Sequence, residues 1–106
     1  MIVRLSTAGA VVQDPDDLAD LRLDTDLDPE RLGKALTTTG TGELSDGDTA
    51  LLDVGVLRSL AVMSMNPTSA SAWSKRWAAM LEEARRHGLL SADGRSVRVL
   101  VGRGRR

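Results

Sequence analysis

Between Ser45 and Met65 the chain runs SDGDTALLDVGVLRSLAVMSM, its longest apolar stretch, and the remaining residues must be arranged to bury it. Ser45 suits an N-cap, because its hydroxyl accepts from the free amides of a first turn. Asp48, three residues on, completes a start like a capping box. Asp46 and Asp48 also suit the positive end of a helix dipole. On a helical wheel Ala50, Val54, Leu57, Ala61 and Met65 share one face. Leu52, Val56, Leu60 and Met63 form a second, and Leu51 and Val62 a third. A helix apolar on every side is a buried one. The pattern therefore predicts a central helix over about 46–65, stopped by Asn66 and Pro67, since the residue before a proline avoids helical geometry. Asp53, Arg58 and the caps argue against a membrane span.

Asp53 is the anomaly of this stretch, falling between Leu57 and Leu60 on the wheel. A buried carboxylate must find a partner or raise its pKa. Two readings follow. One is a structural ion pair with an arginine. The other is a catalytic acid or base in an aliphatic pocket, with Arg58 or His87 nearby. Gly55 marks either the close approach of another backbone or a tolerated defect.

The rest of the chain reads as an α+β fold. Met1 to Gln13 alternates as a hairpin around Thr7-Ala8-Gly9. Asp14-Pro15-Asp16-Asp17 signals a short helix to about Leu23, and Asp28-Pro29-Glu30 a second one carrying Leu32, Ala35 and Leu36. Thr37 to Glu43 reads as a loop. After Pro67, Thr68 or Ser69 caps a long helix to about His87, with Trp73, Trp77, Met80, Leu81 and Ala84 as its inner stripe. Gly88 ends it. Leu89-Leu90 is a brief strand, Ala92-Asp93-Gly94 a turn, and Ser96 to Val101 a strand. The expected architecture is one domain over 1–106. A small, mainly antiparallel sheet (residues 1–6, 10–13 and 96–101) packs on two short and two long helices. The long pair lie antiparallel, since only Asn66 to Thr68 separates them.

Composition narrows the chemistry. The chain has no cysteine, so it has no disulfide, thiolate nucleophile or thiolate metal site. Asp24, Asp26, Asp28 and Glu30 alternate like half a calcium loop, but Pro29 stands where the loop needs glycine and Ala35 where it needs glutamate. Gly40 and Gly42 lack the preceding strand and following lysine of a phosphate loop. His87, the only histidine, has no companions for zinc. No cofactor or metal is expected. The start MIVRLSTAG is too short and polar for a signal peptide, which predicts a cytoplasmic protein. The usage of Ala, Gly, Arg and Asp over Lys points to a GC-rich bacterial source.

Charge is unevenly spread. Residues 1–50 hold four basic and eleven acidic groups, and residues 51–106 ten basic and four acidic. The halves attract each other within one fold, join copies head to tail, or meet a partner at one end.

Three functions compete. No nucleophile–base pair, metal cluster or phosphate loop reaches a specific spacing, which favours a non-catalytic binding or accessory protein acting on a protein partner or a second copy. A small enzyme or ligand-binding protein using Asp53 in an aliphatic pocket is the chemical alternative. The third is nucleic-acid binding. Residues 69–101, a basic helix followed by GLLSADGRSVRVLV, resemble the end of a winged-helix domain. That resemblance implies Lys75 and Arg76 in the groove, and Arg95 and Arg98 on phosphates with Arg103, Arg105 and Arg106. Trp73 and Trp77 are core residues or a stacking platform. No membrane partner is expected.

Overall fold

A computed structural model describes residues 1–46 and 48–103. The elements run in the order β1 (Ile2–Ser6), β2 (Gly9–Gln13), β3 (Arg22–Thr25), α1 (Pro29–Thr39), β4 (Gly42–Leu44), β5 (Thr49–Asp53), α2 (Val54–Met63), α3 (Pro67–Arg86) and β6 (Ser96–Arg103). The strands form one six-stranded sheet of order β2-β1-β3-β6-β5-β4. The sheet is mixed and curled, with three helices. β1, β3 and β6 run parallel, while β2, β5 and β4 are antiparallel to their neighbours. This corrects the expected mainly antiparallel sheet with four helices.

The largest correction lies in the Ser45–Met65 stretch. It is not a helix over 46–65 but a strand followed by a helix. Ser45 caps nothing. Its amide and that of Asp46 donate to the Thr49 carbonyl, and the Asp46 carboxylate accepts from the amides of Asp48 and Thr49 at 2.8 and 2.9 Å. These bonds close a turn between β4 and β5. In β5 the side chains alternate, with Ala50 and Leu52 buried and Leu51 half-buried on the other side. The helix begins only after Asp53, whose extended backbone and Oδ1, 2.9 Å from the Val56 amide, make it the N-cap of α2. A strand's inner row joined to a helix's stripe looks apolar all round on a wheel, although neither part is. With α2 only ten residues long, the expected pair of long antiparallel helices does not exist.

The two Asp-Pro signals separate on backbone geometry. Asp28 is extended (φ −69°, ψ 167°), its side chain accepts from the Arg31 amide at 2.8 Å, and α1 follows with Pro29 in its first turn. Asp14 instead has φ 49°, a left-handed conformation that no N-cap adopts. Residues 14–20 therefore form successive turns rather than a helix, and Leu23 enters β3, fully buried. α1 extends through Thr39 into the expected loop, ends on Gly40 at φ 71°, and β4 begins at Gly42.

α3 forms as the sequence pattern predicts, although Asn66 rather than Thr68 or Ser69 caps it. Trp73, Trp77 and Ala84 are buried along one stripe. The inner rows of the strands, from Val3 and Leu5 through Leu23, Ala50 and Leu52 to Val97 and Val99, meet Leu32, Leu36, Leu57, Ala61 and both tryptophans in one core. Each large aliphatic side chain so buried contributes about 1.5–3 kcal/mol.

Candidate functional site

Because strand side chains alternate, burying one row of the sheet places the other row on the opposite face. Every fully buried helix residue belongs to the inner side, so the outer row is left towards solvent. Its register can be followed across the strands. Gln13, Ile2, Arg22, Leu100 and Thr49 lie side by side on five strands. Val11, Arg4, Asp24 and Gly102 form the next row. Arg98 stands opposite Leu51, and Leu51 opposite Glu43. Leu100 is 67% exposed and Val11 59%. Neither they nor Ile2 and Leu51 pack on the core. The Arg22 Nε lies 3.6 Å from Asp24. Asp24 lies across Gly102, where an added Cβ would meet its Oδ1 at 2.5 Å. Among the described residues, Arg4 and Arg98 make no ion pair. The outer face thus carries single apolar side chains, Val11, Ile2, Leu100 and Leu51, each set among charged or polar neighbours such as Arg4, Arg22 and Arg98.

At the carboxyl ends of the parallel strands β1 and β3 a cavity of about 470 Å³ opens beside this face. Arg4, Ser6, Thr7, Asp24 and Asp26 contribute its polar lining. Crevices at strand carboxyl ends are common ligand positions in open sheets. Sequence reasoning weighs Asp24 and Asp26 only as half a calcium loop and passes over Arg4. The parity of the two parallel strands, visible only once their pairing is known, brings these residues together.

The residues named from sequence are dispersed. Asp53 is half-buried, caps α2, and lines a depression of about 290 Å³ with Thr37, Gly40, Gly42, Glu43, Leu51 and Ser96. Arg58 reaches Ser74 on α3 at 3.5 Å rather than Asp53. His87 ends α3, where its ring pairs with Glu83 at 3.0 Å on the rim of a separate cleft of about 260 Å³ beside Leu18, Leu21, Met80 and Leu89. Asp53, Arg58 and His87 are therefore not one constellation. Among the described residues, no group of three or more His, Asp or Glu is placed to hold a metal ion.

Trp73 and Trp77 stack at 5.1 Å between ring centroids, both buried. Trp73 Nε1 donates to the Pro15 carbonyl at 2.7 Å, tying the 14–20 turns to α3, while Trp77 Nε1 is buried without a partner among the described residues. Lys75 is exposed. Arg76 pairs with Asp16 at 2.8 Å, the one ion pair among the described residues that joins the acidic and basic halves. The hairpin resembling a wing does form, with Leu90 bridging Val97 and the Arg98 amide donating to Leu89 at 2.7 Å. Its second arm, however, is a central strand of the sheet. Arg95 is exposed in the turn before it, where the Ser91 hydroxyl, then the Arg95 amide, hold the Asp93 carboxyl below its ordinary pKa. The Asp48 amide, Thr49 and finally the charge of Arg98 do the same for Asp46. The Arg103 side chain, Arg105 and Arg106 lie outside the described residues. No described helix is long and apolar enough to cross a membrane.

No protein-family model matches the chain, no curated protein is significantly similar to it, and no solved structure matches it.

Proposed function

We propose that this chain is a non-catalytic binding or accessory protein that engages a protein partner through the outer face of its sheet. The observation supporting this reading is the pair of large apolar side chains, Leu100 and Val11, left 67% and 59% exposed among Arg4, Arg22 and Arg98. Both side chains stand on the face of the sheet turned away from the core, which leaves them open to another macromolecule. Arginine is enriched in protein interfaces relative to the rest of the surface. Asp53, the catalytic candidate, is engaged as a helix cap. Its role in this reading is structural.

The test is site-specific photo-crosslinking in cells that make the protein. A photoreactive residue replaces Leu100 in one variant and Thr38, exposed on α1, in another. An adduct of defined mass at position 100 and none at position 38 is the expected result. Equal labelling at both positions, or none at 100, removes the face as a partner site.

A further inference from the structure

The edge strand β2 presents a second surface, its backbone edge, which shares Val11 with the outer face. Thr7 and Ala8 alone connect Ser6 to Gly9, so the pair Ser6–Gly9 must exchange both backbone hydrogen bonds. Alternation then makes Arg4–Val11 and Ile2–Gln13 hydrogen-bonded pairs as well. The N–H and C=O groups of Ala10 and Val12 point the other way, off the edge of the sheet. No backbone partner meets them among the described residues. The side chains of Ala10 and Val12 pack against the core, so these backbone groups are held in place rather than free to turn.

Edges of this kind are normally blunted by charge, proline, a bulge or brevity. β2 reads Gly-Ala-Val-Val-Gln, with none of these in its sequence, and α1 and α2 are the helices that approach it. Its sequence is also self-complementary. If two copies run antiparallel with Val11 on the two-fold axis, Ala10 of each copy lies opposite Val12 of the other. Those pairs exchange four backbone hydrogen bonds. Val11 meets its own copy as a close non-hydrogen-bonded pair, which covers a side chain now 59% exposed. Gln13 falls opposite Gly9, so no side chain opposes a like charge. The antiparallel direction also places the acidic segments that follow Gln13 at opposite ends of the joint, where a parallel one would bring Asp14, Asp16 and Asp17 of both copies together.

We infer that β2 is the pairing edge for a second copy of this chain, which joins two six-stranded sheets into one continuous sheet through Ala10 and Val12. The joint does not depend on the partner proposed for the outer face and stands if that reading fails.

Light scattering of the purified chain over a concentration series tests it, together with amide hydrogen exchange. The expected species has twice the 11.3 kDa chain mass. Raising concentration is expected to slow exchange at the Ala10 and Val12 amides and leave Val11, already paired with Arg4, unchanged. Ala10→Pro removes an outward N–H and is expected to return the monomer, whereas Leu100→Lys, on the outer face, is expected to leave the dimer intact. Should Ala10→Pro fail to fold, Val11→Lys sets like charges on the axis and is expected to weaken association at least tenfold. A monomer at every concentration overturns the inference. So does a dimer without slowed exchange at Ala10 and Val12. A dimer that high salt dissolves and neither β2 variant affects would be joined by its charged halves instead, which also overturns it.

Discussion

At one edge of the sheet β4 is three residues long, carries Glu43, and is pressed onto β5 at Gly42. A Cβ at Gly42 would run into the Leu51 carbonyl oxygen and lie 2.9 Å from Leu52 Cα. At the other edge β2 is five residues long and uncharged, and its outward backbone groups meet no backbone partner among the described residues. The first edge is short and charged, and nothing in its sequence favours another strand. The second presents the backbone groups of Ala10 and Val12 with no charged side chain in the strand. The contrast teaches that one sheet can refuse a neighbour at one side and offer a place at the other, and that the difference is written in glycine, charge and strand length rather than in overall hydrophobicity.

The contrast breaks most easily at Gly42. Gly42→Ala forces a methyl into backbone that cannot retreat without parting β4 from β5. The expected loss is about 3 kcal/mol, read as a lowered urea midpoint. On the opposite edge Val11→Lys is expected to change the stability of the monomer by no more than about 0.5 kcal/mol. Comparable losses at the two sites would show that the edges are not differently built. Next in size is Asp53→Ala, which removes the acceptor for the Val56 amide where β5 passes into α2. It is expected to cost about 1 kcal/mol, while Asp53→Asn, which keeps an acceptor oxygen, costs much less. If asparagine were as damaging as alanine, the charge of Asp53 and not its capping would be what the fold uses.

The parts of the fold legible in sequence are those whose signals are local. The β1–β2 hairpin has alternation and a turn, and α3 has Trp73, Trp77, Met80 and Ala84 at helical spacing with Gly88 after it. Asp28 announced α1 because its cap lies within three residues. What failed depends on partners distant in sequence. Leu23 becomes a strand residue only because β1 and β6 flank it, and no local signal in DPDDLADLRLD records that. In Ser45–Met65 the helical wheel absorbed a strand because Ala50, Leu51 and Leu52 form a short continuous apolar run, which periodicity alone does not assign to helix or strand. The Asp-Gly pair at 46–47 was the available warning of a turn. Asp53 looked buried and unexplained because a strand was read as helix; the corrected boundary turns the anomaly into a cap. The outer face was not legible at all, since Arg4, Asp24 and Leu100 are brought together by strand order alone.

The smallest expected effect sharpens the same comparison through pH. In the turn that delivers β4 to β5 the side-chain acceptor is the titratable Asp46 carboxylate, whereas in the β1–β2 turn it is the Ser6 hydroxyl, which accepts from the Ala8 amide at 3.2 Å. The amides of Asp48 and Thr49 hold Asp46 below the ordinary aspartate pKa of about 3.9. A carboxylate whose pKa is lower folded than unfolded stabilises the fold at pH above the unfolded value, and that contribution is lost as pH falls through the folded one. Acid should therefore loosen the β4 edge before the β2 edge. Asp46→Asn keeps an acceptor for both amides but does not titrate. Between about pH 5 and pH 2 the wild-type chain is thus expected to lose stability relative to the variant. Amide exchange near Glu43 and Leu51 should rise in the wild type alone, with the Arg4 and Val11 amides unchanged in both. A wild-type chain and variant that track each other across this range would show that the turn is held by its backbone and not by the charge.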